Sequence, residues 1–422
     1  MRRAIVQFQI PFNGHPRRPS FHFRSISVLF FGSDNVSLPT LRALHESLLS
    51  SGPHPGLVTS LGVVHPSDRR IGRGQTLTPL PIATFARDKN LECIEIPIGT
   101  AWNLKDWAGI KSLKHEKNGK AVSRWDIGVV ASFGYLVPLD VINALPYGAI
   151  NVHPSLLPRW RGAAPVPATI AAGDKETAVC IIDVAPRFDQ GRILAVSDTL
   201  QITPLDDTPS LSAKLAIIGG NLAVHVLSNI DTLRKNGKIQ NDEFMTTAPK
   251  LKPSDSFINW TIDTAVTIER KIRAYKGSIG VSAYFTPIAT VNQQQDTPLA
   301  PLAPLAPLAL PPSRRVELLE SSLLYDLNTM SKLAADILPN ASLPGTLIIN
   351  TKLKTLYVRA SCGNWLQLQK LCFETRQPVT ASSFINGLRL SKSNTAIVGE
   401  FIQIPFTLTG GAIDSNSLKS RP

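Results

Sequence analysis

The chain has 422 residues, 43% of them hydrophobic, and its 44 Lys and Arg against 31 Asp and Glu give a formal charge of +13. That length exceeds one typical domain and supplies apolar material for two or three real cores. The basic excess favours an anionic partner such as nucleic acid, phosphate or an acidic membrane, or residence in a compartment of basic proteins. The four cysteines (Cys93, Cys180, Cys362 and Cys372) are scattered without a CxxC pair. This argues against a zinc site or a disulfide framework and fits reduced thiols inside a cell.

The first segment, residues 1–33, carries Arg2, Arg3, Arg17, Arg18 and Arg24 and no acidic residue. Arg-rich, acid-free composition marks residues 1–24 as a mitochondrial presequence, the alternative being a disordered basic tail. The run "SISVLFFGSDN" (25–35) reads as a strand ending in a turn. A helix over 37–49 follows, capped by Ser37, with Pro39 in its first turn and Leu41, Leu44 and Leu48 on one face. Strands are predicted at 57–64, 92–96, 125–132, 147–153, 177–184 and 191–202. Helices are predicted near 79–90, from Pro138, over 165–174 and over 208–229. No apolar run reaches the roughly 18 residues of a membrane span.

Strands alternating with helices imply an α/β domain over 25–235, Rossmann-like, with a largely parallel sheet. Residues 236–259 are polar and read as a linker. Residues 260–395 read as a helix over 261–276 followed by strands at 278–285, 346–350, 355–360 and 365–373, a small all-β barrel or sandwich, assigned as an OB-like β-barrel. Residues 396–422 are assigned to a C-terminal tail. Residues 250–392 hold 16 Lys and Arg against 9 Asp and Glu. The repeat "TPLAPLAPLAPLALPPS" (297–313) can form neither helix nor central strand and reads as an extended, polyproline-like insertion.

The stretch "NVHPSLLPRWRGAAP" (151–165) sets Asn151 and His153 two apart at the end of a strand. Side chains at i and i+2 of a strand face the same way, so two donors would aim at one point. In α/β sheets ligands bind at the carboxyl ends of strands. The turn "RFDQGRIL" (187–194) offers Asp189 to orient the imidazole. Paired donors beside a carboxylate can stabilise charge developing on an attacked carbonyl. Taken alone, an Asn, a His and an Asp fit a satisfied structural histidine better than a catalytic one.

The full stretch, with "FDQG" some two dozen residues later, resembles the 10-formyltetrahydrofolate-dependent formyltransferase family, and within it the branch acting on methionyl-tRNA. "FFGSDNVSLPTL", "GRGQTLTPLP" (72–81), "VVASFGYLVP", "APKLKPSDSFINW" and "PGTLII" (344–349) extend the resemblance over residues 26–390. It implies that Asn151, His153 and Asp189 are catalytic. It implies that Ser155, Leu156, Leu157 and Pro158 line the folate site, and that Arg73 reaches the acceptor end of tRNA. The implied reaction moves a formyl group from 10-formyltetrahydrofolate, without a metal, to the amino group of methionyl-initiator tRNA. A monomer in the mitochondrial matrix, not a membrane protein, is expected. Given that acceptor, Lys250, Lys252, Arg270, Lys271, Arg273 and Lys276 are expected to contribute to tRNA binding. Ser155 is expected to fasten the loop and not to act as a nucleophile. A small-molecule amine as acceptor, or a non-catalytic RNA-binding factor on the same fold, are the rival readings. The chain departs from the family pattern at Gln190, where Thr is frequent, and at Trp160, where Tyr is frequent.

Overall fold

The computed structural model describes residues 25–49, 52–71, 76–100, short pieces between 104 and 117, 120–287, 314–324, 343–350, 353–373, 376–387 and 395–402. Residues 1–24, Arg73 and the Pro-Leu-Ala segment lie outside the described residues. The chain divides into two compact units, 1–251 and 252–422.

In the first unit the order is Ile26–Gly32 (β1), Leu38–Leu48 (α1), Val58–Pro66 (β2), Pro81–Asp88 (α2), Glu92–Ile96 (β3), Ile127–Ala131 (β4), Leu139–Ala144 (α3), Ala149–His153 (β5), Pro165–Ala172 (α4), Cys180–Asp183 (β6), Ile193–Val196 (β7), Thr208–Ser228 (α5) and Ile230–Lys235 (α6). The seven strands form one sheet in the order β7-β6-β5-β4-β1-β2-β3. The five strands from β5 to β3 run parallel, and β6 is antiparallel to β5 and to β7. The central strand β1 is buried at every position, the pattern of a strand covered on both faces. The chain winds outward from β1 through β2 to β3, then returns to β4 and β5 on the other side. The switch point therefore lies between β1 and β4, where an open α/β sheet leaves a crevice at the carboxyl ends of its strands.

Helix α5 is long and apolar enough, by length and composition, to cross a membrane. Its Leu211, Leu215, Ala223 and Leu227 are instead buried within the unit. Asp207 opens it with a capping box, accepting the Ser210 N–H at 2.9 Å. A Cβ on Gly219 would sit 2.6 Å from Val152 Cγ1, so the helix can lie this close to β5 only with glycine there.

Two local expectations change. Ser37 occupies the N-cap of α1, but its hydroxyl donates to the Asp34 carbonyl at 2.7 Å. Asp34 Oδ1 accepts the N–H groups of Val36 and Ser37, just ahead of the helix, at 3.0 and 3.1 Å. The strand expected over 191–202 is two pieces, β7 and Leu200–Gln201. Between them Ser197 accepts the Val179 N–H on its hydroxyl at 3.0 Å, which interrupts the ladder.

The second unit opens with helix Ala265–Tyr275 (α7), capped by the Thr264 side chain. Strands Ser282–Pro287 (β8), Arg314–Leu323 (β9), Thr346–Asn350 (β10), Thr355–Arg359 (β11), Trp365–Phe373 (β12) and Thr395–Ile402 (β13) follow, with helix Ala381–Gly387 (α8) before the last. They pair antiparallel in the order β9-β8-β13-β10-β11-β12, and β12 pairs back onto β9. The result is a small closed β-barrel with a leading helix. Its core joins Val316, Leu318, Leu347, Leu356, Val358 and Leu366 to Ile268 and Ile272 of α7.

The tail assigned from residue 396 begins inside β13, which sits between β8 and β10 and completes the ring. β9 escapes a reading by alternation because its register shifts between Leu318 and Ser321, breaking the period of two. The polar stretch read as a linker divides at Leu251, its first part packing with the first unit and its second part with the barrel.

Candidate active site

Strand β5 ends the apolar run 149–153 with its side chains alternating. Val152 faces α5, while Asn151 and His153 face the other way. Their partners across the ladder are Ile182 and Cys180 of β6. His153 is buried at 3% exposure, in the floor of the site. Cys180, the ladder partner of His153, is fully buried, and burial pushes its thiol up to about 12, so it behaves as an apolar filler.

The turn between β6 and β7 delivers Asp189. A Cβ on Gly191 would overlap the Asp183 carbonyl, so only glycine lets the turn close. Asp189 itself takes φ of 53°, a left-handed conformation that costs a non-glycine residue about 1–2 kcal/mol. Such outliers persist where the surroundings hold them. Here the holding groups are specific. Asp189 Oδ1 accepts from Asn151 Nδ2 at 3.2 Å and lies 3.5 Å from His153 Nδ1. Oδ2 accepts the Gly162 N–H at 2.9 Å. The side chain of Asn151 thus spends one amide hydrogen on Asp189 and keeps a second. Gln190, at the position that departs from the family pattern, is exposed and its side chain takes no part in these bonds.

The loop after β5 is fastened from within. Ser155 is fully buried and donates its hydroxyl to the Arg159 carbonyl at 2.7 Å. Leu157 packs with Cys180 and Ile182 in the core, while Leu156 and Pro158 are partly exposed. Arg159 makes a two-bond pair with Asp174, at 2.8 and 2.6 Å, and lies over the Trp160 ring at 4.3 Å. The bond to Asp174 keeps the Arg159 guanidinium protonated above its usual range. Trp160 donates its indole N–H to the same carboxylate at 2.7 Å. Leu156, Arg159, Trp160, Asp174, Lys175, Glu176 and Thr177 line an open cleft of about 250 Å³. That cleft contains none of Asn151, His153 and Asp189.

At the switch point the ends of β1 and β4 are joined by polar bonds. Ser132 donates to Asp34 Oδ2 at 2.6 Å, and the Gly134 N–H reaches Ser33 Oγ at 3.3 Å. Asn151 pairs with Val130 of β4, so the catalytic candidates stand one strand from this crevice.

Residues 238–248 contribute what the sequence reading missed. Lys238 bridges Ile193, Thr246 Oγ1 accepts the Trp160 N–H at 2.9 Å, and Ala248 exchanges backbone bonds with Arg161 and Ala164. Gln240 donates from Nε2 to the carbonyls of Asp189 and Gly191 at 2.7 and 2.8 Å. Its Oε1 accepts from Arg161 Nε at 2.9 Å. The polar composition of this strap matches that of a solvated linker, so nothing in it marks Gln240 beforehand.

Of the residues expected at the tRNA surface, Lys250, Lys252 and Lys276 are exposed and Arg270 is partly exposed. Lys271 is bonded to both oxygens of Asp263 at 2.9 and 2.7 Å. Arg273 is paired with Glu269 one turn earlier, at 2.5 and 3.0 Å. Two of the expected phosphate-binding side chains thus carry charges already neutralised within α7 and its cap.

The family profile for formyl transferases matches residues 26–227, and the profile for the formyl transferase C-terminal domain matches residues 250–389. The chain belongs to the formyl transferase family. It is similar to the human protein named mitochondrial methionyl-tRNA formyltransferase, with 31% identity over 362 residues that cover 85% of this chain and 77% of that one. It is 32% identical over 248 residues to the methionyl-tRNA formyltransferase of Methylococcus capsulatus, covering 59% and 73% of the two chains. Among solved structures it is similar to an N-formyltransferase from Helicobacter canadensis, with a TM-score of 0.48 and 13% identity, covering 81% of this formyl transferase and 98% of the other chain.

Proposed function

We propose that this formyl transferase moves the formyl group of 10-formyltetrahydrofolate to the α-amino group of methionyl-initiator tRNA, in mitochondria. The observation that carries the chemistry is the convergence of Asn151 Nδ2 and His153 Nδ1 on one carboxylate oxygen of Asp189. The acceptor follows from the names of the relatives, including mitochondrial ones from human and cow, and from the basic barrel. The Arg-rich, acid-free residues 1–33 agree with the compartment.

In the transfer the amino nitrogen bonds to the formyl carbon, the bond from that carbon to N10 breaks, and N10 takes up the proton that the new amide nitrogen gives up. An α-amino group titrates near pH 8, so a proton must leave before it attacks. Asp189, with His153 beside it, takes that proton directly or through water. Asn151 offers its second amide hydrogen to the oxygen on which charge builds. Leu156 and Pro158, the partly exposed residues of the loop, line the folate site, and Ser155 fixes the loop that carries them. Lys250, Lys252, Arg270 and Lys276 hold phosphates of the acceptor, and Arg73 reaches its end.

The acceptor is tested by offering the purified protein labelled 10-formyltetrahydrofolate with methionyl-initiator tRNA and, separately, with amino sugars. Label in formylmethionyl-tRNA supports the reading. Label in the small amine alone overturns it.

A further inference from the structure

Both amide hydrogens and the carbonyl oxygen of Gln240 are hydrogen-bonded, and the partners fix its orientation. Both carbonyls can only accept, so Nε2 must face Asp189 and Gly191, and a guanidinium N–H can only donate, so Oε1 must face Arg161. Gln240 is 8% exposed and Arg161 6% exposed, so these bonds are made away from bulk water. Arg161 is in turn held by Asp242 of the same strap, at 2.8 Å, and lies next to Gly162, whose N–H binds Asp189 Oδ2. One side chain therefore grips the backbone of Asp189 from below while its partner fixes the residue beside the N–H that grips the carboxylate. Asp189 occupies a left-handed conformation that needs such holding.

We infer that Gln240 is a positioning residue for the transfer reaction: it holds the Asp189 turn so that the carboxylate meets Asn151 and His153. A buried amide that merely filled a gap would not need two acceptors on the residues flanking one turn. The inference rests on the formyl-transfer reading for its kinetic consequence and on the hydrogen bonds alone for its structural one.

The test uses Gln240→Glu, which keeps the shape and the bond to Arg161 but turns two donors into acceptors that face carbonyls. With the full-length protein, kcat should fall by about 10- to 100-fold, because a small displacement of a catalytic group is enough for such a loss. KM for donor and for tRNA should stay within about 3-fold, since neither substrate loses a binding partner. Backbone amides 187–191 should exchange with deuterium at least about 10-fold faster than in the parent, as the turn opens locally. Should the Glu variant fail to fold, Gln240→Asn keeps an amide one methylene short and should show the same split. Unchanged kcat and unchanged exchange in a folded variant overturn the inference. So does a loss in which KM rises and the melting temperature falls in step with kcat, which would mean a purely structural role. If the parent transfers no formyl group, the function reading fails by itself, and the exchange comparison still decides the inference.

Discussion

The Nε2 atom of His153 lies 3.0 Å from the carbonyl oxygen of Trp160, a residue held at φ of 64°. A carbonyl only accepts, so this nitrogen carries a hydrogen and the ring presents Nδ1 to Asp189. The left-handed backbone of Trp160, costly for an aromatic residue by about 1–2 kcal/mol, turns its carbonyl toward the imidazole. Trp160 is itself anchored by its indole on Asp174 and its N–H on Thr246. The orientation of the histidine is thus set by a loop that the sequence shows only as a dense run of prolines, arginines and a tryptophan.

Asn151 and Asp189 are joined by a donor and an acceptor, and the isosteric change Asn151→Asp reverses one of them. Two carboxylates about 3 Å apart cannot both stay ionised, so one takes up a proton. The amide hydrogen meant for the developing oxyanion is also lost. Formylation kcat should drop by about 10²–10³-fold, the cost of one oxyanion donor. Steady-state kinetics beside a thermal melt checks this, and a variant with parental kcat would remove Asn151 from the chemistry.

Stability should depend on acid through Asp206. Burial pushes this carboxyl up, but the Lys214 ammonium at 2.5 Å and the Thr203 N–H and hydroxyl, each at 2.8 Å, outweigh it and hold it below the ordinary carboxylate range. The unfolded chain protonates near pH 3.9, so the stabilisation is complete above about pH 4 and is lost as the pH falls through the lower folded value. Asp206→Asn should melt below the parent at pH 7, with the gap narrowing toward pH 3. Equal gaps at both pH values would contradict the assignment.

Salt dependence separates the exposed cations from the paired ones. Reversing Lys250 and Lys252 to Glu should weaken tRNA binding and reduce the slope of log affinity against log salt by about 0.7–0.9 for each phosphate no longer neutralised. Reversing Lys271 or Arg273 would break bonds to Asp263 and Glu269, so a loss there would mix folding with binding. Binding titrations between low and moderate salt decide the point, and an unchanged slope in the Lys250 and Lys252 variants would exclude them from the tRNA surface.

Much of this was legible because local and global signals agree. β1 and β5 are short apolar runs, α1 is amphipathic with a proline in its first turn, and Asn151 and His153 share a face by the period of two. The failures have physical causes. Ser37 does not cap α1 because its hydroxyl is spent on the Asp34 carbonyl, within a turn that the Asp34 carboxylate closes through the Val36 and Ser37 N–H groups. β9 hid behind a shifted register, and β13 behind a position late in the chain whose role only the closing of a barrel reveals. Gln240 stayed invisible because long-range bonds from a polar segment leave no period in it. Lys271 and Arg273 looked like free charge because their acidic partners, eight and four residues away, were counted only in the balance.

The most direct measurement is a single-turnover formylation of methionyl-initiator tRNA by the parent protein and by Asp189→Asn, each checked for its melting temperature. Replacing the carboxylate with an amide leaves the size of the side chain but removes the proton acceptor and the common partner of Asn151 and His153. The parent should yield formylmethionyl-tRNA, and the variant, folded and binding tRNA normally, should be slower by about 10²–10⁴-fold. A folded Asp189→Asn protein that transfers the formyl group at the parental rate would contradict the account.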